Sequence, residues 1–219
     1  MDRPSIRHGM VLLAVLAIVS LPAIGCQGVM LTAMYLLKGT DVDPDFKELK
    51  GKKVAVVCRP LVSLQYRNAN VGRDLATQIT RLLQEKVPKI ETVDQRKVAQ
   101  WLDENTWEEY VEVGKAMKVD MVVGIDLEGF STFQGQTLYQ GKANATIRVF
   151  DCRDGGKVVF EKPLPQCVYP PNAPIPTSER TEPGFRREFV LVLADQIARH
   201  FYAHDPHADL ALDAKALDK

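Results

Sequence analysis

The sequence predicts an α/β domain, with α+β as its near variant, built on a mixed sheet of about five strands with helices packed on it. Three observations point there. Short β-branched runs alternate with segments of helical apolar spacing, two alternating segments joined by an Asp-Gly-Gly turn follow, and a long amphipathic stretch closes the chain. The expected order is strand, helix, strand, helix, then an antiparallel meander and a carboxyl-terminal helix.

The first strand is Val54 to Cys58, a β-branched run bounded by Lys53 and by Arg59-Pro60. Asn70 stands where it can cap a helix whose Val71, Leu75, Ile79, Leu82 and Leu83 recur at helical spacing, and Pro88 requires that helix to end before it. A short strand is expected near Ile90 to Val93, after which Asp94 caps a helix carrying Val98, Trp101 and Leu102. Thr106 and Glu109 have the spacing of a capping box, ahead of Trp107, Tyr110, Val111 and Met117 on one helix face. Met121 to Ile125, continuing through Leu127, forms a longer strand. Ala143 to Val149 alternates against Asn144, Thr146 and Arg148, and Asp154-Gly155-Gly156 turns the chain into Val158 to Glu161. The prolines between Pro163 and Pro183 exclude a central strand and predict an extended surface connection. Phe185, Phe189, Val192, Leu193, Ile197 and Phe201 line the closing helix, and a frayed tail is expected from His204.

The amino terminus points to export. Arg3 and Arg7 precede an apolar run, Met10 to Ala23, that closes on Ile24-Gly25-Cys26, which is the order of a secretory signal. The run Ala23-Ile24-Gly25-Cys26 resembles the lipobox of bacterial lipoproteins, with Ala23 where that family usually has Leu. The resemblance implies cleavage before Cys26 and acylation of its new amino terminus, so Cys26 is the expected lipidation site. A second reading extends the apolar residues through Val29, Met30, Leu31, Met34 and Leu37 into one uncleaved spanning helix. From Met10 to Leu37 that helix is roughly 40 Å long against a hydrocarbon core of about 30 Å, and it contains Pro22, Gly25 and Gly28. Both readings put an inside amino terminus before a domain facing the periplasm of a bacterial envelope. The expected division is residues 1–25 signal, 26–50 tether, 51–204 one domain and 205–219 tail.

With 28 basic and 28 acidic side chains the chain has no net charge, so nothing in its overall field attracts nucleic acid. The expected partners are the membrane, through the lipid or the apolar segment, and other envelope proteins, including a second copy of this chain. If Cys26 is acylated, Cys58, Cys152 and Cys167 allow at most one disulfide, and Cys58 reads as a small buried hydrophobe.

Motifs for chemistry are missing. No phosphate loop follows the first strand, where Arg59-Pro60-Leu61-Val62-Ser63 stands instead, and no nucleophile elbow surrounds Ser63 or Ser131. No catalytic residue, metal site or cofactor is expected. His200 and His204, four apart, read as solvated histidines at a helix end, and Asp126 and Glu128 as the wet face of an alternating strand. One binding site is expected at the carboxyl end of the first strand, where Arg59, Tyr66 and Arg67 could clamp an anion.

Three segments, Lys53 to Val57, Asp74 to Leu83 and Gly114 to Ile125, resemble the envelope proteins related to the curli-export lipoprotein CsgG and the amino-terminal domain of TolB. In that group a helix ends in a Gly-x-x-x-x-Val-Asp step, here Gly114 to Asp120. The following strand leads to a Val-x-Asp-x-x-x-Gly turn, here Val149 to Gly155. The resemblance implies a domain that assembles with other envelope proteins and carries no catalytic residues. Paired membrane-barrel strands are missing, so pore formation is not implied.

Overall fold

The computed structural model describes residues 41–60 and 70–206. The signal segment, Cys26, the alternative spanning helix, Tyr66, Arg67 and the tail beyond Pro206 lie outside them. Among the described residues no helix is long and apolar enough to cross a membrane.

The α/β order holds. β1 (Lys53–Pro60), α1 (Val71–Lys86), β2 (Glu91–Thr92), α2 (Gln95–Glu104) and α3 (Tyr110–Met117) are followed by β3 (Met121–Gln134), β4 (Leu138–Asp151) and β5 (Lys157–Pro163). Two short strands, β6 (Cys167–Tyr169) and β7 (Ile175–Pro176), precede α4 (Glu182–Ala198). The sheet runs β2-β1-β3-β4-β5, with β6 and β7 added to β4. β1 is parallel to β2 and β3, and the other pairs are antiparallel.

Side-chain alternation splits the sheet between two layers. On one face Val54, Val56, Val123, Ile125, Leu127, Ile147 and Val149 pack beneath α1 and α4, with Leu75, Ile79, Leu83, Phe185, Phe189 and Leu193 all buried. Gly141 lets α4 come close, because a Cβ there would stand 2.5 Å from Cγ of Phe189. The other face carries Ala55, Val57 and Val122 beneath α2 and α3, where Val98, Tyr110 and Val113 are buried. That second layer is smaller and lies over the parallel strands and the end of β4, where the Phe150 ring packs 5.2 Å from that of Tyr110.

Several local expectations change. Asn70 makes no side-chain cap on α1, and its carbonyl accepts from Asp74 N–H at 2.9 Å instead. The reach-back at α3 comes three residues late, with Glu112 Oε1 accepting from the main-chain N–H groups of Glu108 (3.2 Å) and Glu109 (2.9 Å). Thr106 precedes that helix by too far to cap it. Asp94 caps α2 as expected, accepting from Arg96 N–H at 2.9 Å. The proline-rich segment is not a plain surface connection. Its Cys167 and Tyr169 are buried, and its prolines fall between the paired residues or at the sheet edge, where a missing N–H costs no ladder bond.

The core also reaches before Gly51. Phe46 and Leu49 are buried, and Val42 and His204 exchange two main-chain hydrogen bonds of 2.8 and 3.2 Å. Asp45 then meets Lys162 and His200 at 2.5 Å each, which ties this segment to β5.

Candidate functional site

The parallel register of β1 and β3 sets Arg59 directly opposite Asp126, at the carboxyl ends of both strands. Chain connections leave these two ends in opposite directions, back to β2 and on to β4, the kind of switch point at which open α/β sheets form crevices. Asp126 Oδ1 accepts from Arg59 Nε (3.0 Å), Arg59 Nη2 (2.9 Å) and the Tyr110 hydroxyl (2.8 Å). Its Oδ2 accepts from Arg148 Nη1, and Arg148 Nε donates to Glu161 at 2.9 Å. The third Arg59 nitrogen donates to the Glu108 carbonyl at 2.9 Å. The guanidinium lies over the rings of Tyr110 (4.8 Å) and Trp107 (5.7 Å), a cation–π geometry.

Tyr110 can reach Asp126 because Gly124 leaves its ring room: a Cβ on Gly124 would stand 2.9 Å from it. Burial, and then the Asp126 charge, hold the Tyr110 hydroxyl protonated far above the usual phenol range. Burial likewise pushes the neighbouring Cys58 thiol well up, against nucleophilic use. The hydrogen bond that Arg148 donates to Glu161 contributes most to holding Arg148 charged. This arrangement fixes charge in place. It offers no thiolate, and the Asp126 carboxylate is taken up by three donor side chains.

Asp126 is thus not part of a wet strand face. Its side chain is 17% exposed, beneath the rim of α3, whereas Glu128, one bulge further on, is exposed and accepts from Thr146 at 2.8 Å. Of the expected anion clamp, Arg59 spends its three guanidinium nitrogens on Asp126 and the Glu108 carbonyl, and Tyr66 and Arg67 lie outside the described residues. His200 sits in a 3-10 turn with its burial lowering its pKa, and among the described residues no group of metal-ligating side chains gathers. No disulfide joins Cys58, Cys152 and Cys167 to one another.

A crevice of about 420 Å³ opens on the opposite edge of β1, between α1 and α2. Val56, Val57, Ala76, Ala99 and Leu102 form its apolar lining, and Arg73, Asp94, Gln95 and Arg96 its polar part. The Gln95 amide crosses its base, donating to the Val56 carbonyl (3.0 Å) and to Thr80 Oγ1 (2.7 Å). Arg73 meets Asp103 and so links the two helices. Sequence reasoning missed Tyr110, Arg148 and Gln95, since nothing local signals which strands are neighbours.

No family model matches the chain, and no curated protein matches it. Among solved structures it is similar to a PelC dodecamer from Paraburkholderia phytofirmans, at 11% identity over 73% of this chain and 93% of the other, with a TM-score of 0.45. It is also similar to lipoprotein GNA1162 from Neisseria meningitidis, at 15% identity over 67% and 97%, with a TM-score of 0.41. A third is the C-terminal domain of LpoB from Salmonella enterica, at 14% identity over 61% and 88%, with a TM-score of 0.34. These similarities concern the fold, and no residue's role passes across them.

Proposed function

We propose that this chain is a membrane-anchored module of the bacterial cell envelope that works by binding other envelope proteins and catalyses nothing itself. The observation that carries the reading is the amino-terminal order of Arg3 and Arg7, an apolar run and Ala23-Ile24-Gly25-Cys26, which makes Cys26 the lipidated residue and turns the domain toward the periplasm. The domain's own chemistry fits. The cluster of ionisable groups around Asp126 is satisfied internally, and the Cys58 thiol is held protonated.

The resemblance to the CsgG and TolB amino-terminal group adds support at two turns. Lys118 takes the left-handed conformation (φ 51°) where Val119 N–H returns to the Gly114 carbonyl at 3.1 Å, and Gly155 has φ 66° at the end of the Val149 to Gly155 step. A second reading, a domain binding a small ligand, is favoured by the crevice beside β1, whose volume is in the range of ligand pockets.

The test is the intact mass and amino-terminal peptide of the chain recovered from membranes of its host, followed by cross-linking. A chain that begins at acylated Cys26 and cross-links to particular envelope proteins supports the proposal. A chain that retains Met1 overturns the lipid anchor, and a stoichiometric small molecule on the purified chain favours the second reading.

A further inference from the structure

One end of the domain is marked by where its strands begin. Val54, Met121, Asp151 and Lys157 are register partners across β1, β3, β4 and β5, so β1, β3 and β5 start at this end and β4 finishes there. β2 starts there too, since Glu91 pairs with Lys53. α1 leads into β2 and α3 into β3, which brings the carboxyl termini of both helices to the same end.

Lysines stand at each of these junctions. Lys50 and Lys52 lead into β1, and Lys86 and Lys89 lie between α1 and β2. Lys115 and Lys118 close α3 ahead of β3, and Lys157 opens β5. All are exposed except the half-buried Lys52, and among the described residues the lysines that form ion pairs are others, Lys47, Lys53 and Lys162. The acids at this end are fewer and mostly engaged. Asp120 accepts from Lys53 N–H and from Arg153, Glu91 faces Lys53 at 3.9 Å, and Asp151 accepts from Arg153 N–H, which leaves Glu48 and Asp154. The carboxyl termini of α1 and α3 each add about half a negative charge, which reduces the lysine excess without cancelling it.

With 28 basic and 28 acidic side chains in the whole chain, an excess at one end is balanced elsewhere. The opposite end supplies acid. Residues 103–112 hold Asp103, Glu104, Glu108, Glu109 and Glu112 and no basic side chain, and the Glu108 carbonyl meets Arg59 at the carboxyl end of β1. The domain is therefore polarised along its strands. Two backbone positions add to this. Lys89 (φ 59°) and Lys118 (φ 51°) are the non-glycine residues with positive φ among the described residues, a conformation that glycine or asparagine adopts at less cost. The turns themselves do not call for lysine.

Residues 42–50 join the domain to the amino-terminal stretch, and they cross from β5, where Asp45 meets Lys162, to Lys52, whose carbonyl accepts from Glu91 at 2.9 Å. From Cys26 to Val42 the chain spans at most roughly 50 to 60 Å, so a lipid on Cys26 keeps the domain near a membrane and leaves its orientation free. A charged face can fix that orientation. Each lysine within a Debye length of an anionic bilayer strengthens the contact roughly fivefold.

We propose that the lysine-bearing end docks on the headgroups of an anionic lipid bilayer, with the end formed by residues 103–112 turned away from it. This rests on the reading of the chain as membrane-anchored and adds how the anchored domain is held.

The test reconstitutes the full chain from host membranes into vesicles of phosphatidylcholine, alone or mixed with phosphatidylglycerol, and reads the acetylation rate of each lysine by mass spectrometry. Lys50, Lys86, Lys89, Lys118 and Lys157 are expected to react about three- to tenfold more slowly on the anionic vesicles. Lys142, on the part of β4 that pairs with β6, is expected to react equally on both. About 0.5 M NaCl is expected to remove the difference. Lys50→Glu, Lys86→Glu and Lys157→Glu together are expected to abolish it at Lys89 and Lys118, and the triple Gln variant at the same positions to halve it. Circular dichroism of both variants checks that the fold is kept. Equal acetylation on the two vesicle types, or slowing confined to Lys142, overturns the proposal. Slowing that appears on phosphatidylcholine vesicles only after host envelope extract is added assigns the face to an acidic protein and also overturns it. A chain that does not float with phosphatidylcholine vesicles overturns the anchored reading itself.

Discussion

Replacing Asp126 by Asn tests whether the cluster at the carboxyl ends of β1 and β3 holds the sheet to α3. The substitution keeps the shape, removes the charge, and turns one acceptor oxygen into a donor facing either the Arg148 guanidinium or the Arg59 guanidinium together with the Tyr110 hydroxyl. Four hydrogen bonds converge on this carboxylate, three of them from Arg59 and Tyr110 at 2.8 to 3.0 Å and the fourth from Arg148. Breaking a fully buried ion pair costs about 3–5 kcal/mol, and breaking an exposed one about 0–1 kcal/mol. Asp126 is 17% exposed, but Arg59 and Arg148 are 41% and 34% exposed and recover water, so the loss is placed at about 2 kcal/mol. For a chain of this size that lowers Tm by about 4–8 °C. The assay is urea and thermal unfolding followed by circular dichroism, with Glu128→Gln on the same strand as control. The control side chain is exposed and makes one bond, so its effect stays within about 0.5 kcal/mol. If Asp126→Asn unfolds with the parent's midpoint, or no differently from Glu128→Gln, the cluster is a solvated strand face and the reasoning fails.

Gly141→Ala places a Cβ 2.5 Å from the Phe189 ring and is expected to destabilise by about 1–3 kcal/mol in the same unfolding assay, as overpacking does. The contact between residues 42–50 and β5 gives a pH prediction. Asp45 is held below its ordinary value of 3.8, first by the hydrogen bond from Lys162, and burial holds His200 below 6.5. Both groups therefore contribute stability that is present above their unfolded values and lost as pH falls. Unfolding free energy is expected to decline from about pH 6.5 downward, and His200→Gln is expected to flatten the upper part of that decline. Alkylation at pH 8 is expected to label Cys58 and Cys167 only as fast as the domain opens, since burial pushes the Cys58 thiol up and Cys167 is 3% exposed. A mass spectrum showing rapid labelling of either in native protein contradicts their placement.

Much of this fold was legible because its signals are local. The apolar spacing of Val71, Leu75, Ile79 and Leu83 determines which face of α1 is buried, and all four residues are buried. Asp94 announces α2 by its side chain, and Gly155-Gly156 supply the positive φ values that the β4–β5 turn requires. The misses share a cause. Glu109 and Glu112 displaced Thr106 as the start of α3 because Trp107 and Tyr110 fold back over Arg59, a contact between residues about 50 apart in sequence. The proline-rich segment gained two strands because the long β4 offers pairing partners beyond the end of β5, something visible only once the length of the β3–β4 hairpin is known.

The candidate site divides along the same line. Arg59 is readable as a charged residue at the end of a parallel strand, and the order of strands and helices follows from periodicities of two and 3.6 residues, which each segment carries in itself. The partners of Arg59 are not readable in this way. Asp126, Tyr110 and Arg148 meet it because β3 lies beside β1 in one register and β4 beside β3 in another. A shift of one residue in either register would turn these side chains to the opposite face. The crevice beside β1 is likewise a property of how α1 and α2 pack. By itself the sequence determined the elements, their apolar faces and the signals of export. Which charges neutralise one another, and where a crevice forms beside the first strand, was decided by tertiary packing, because both depend on distances between segments that no local pattern encodes.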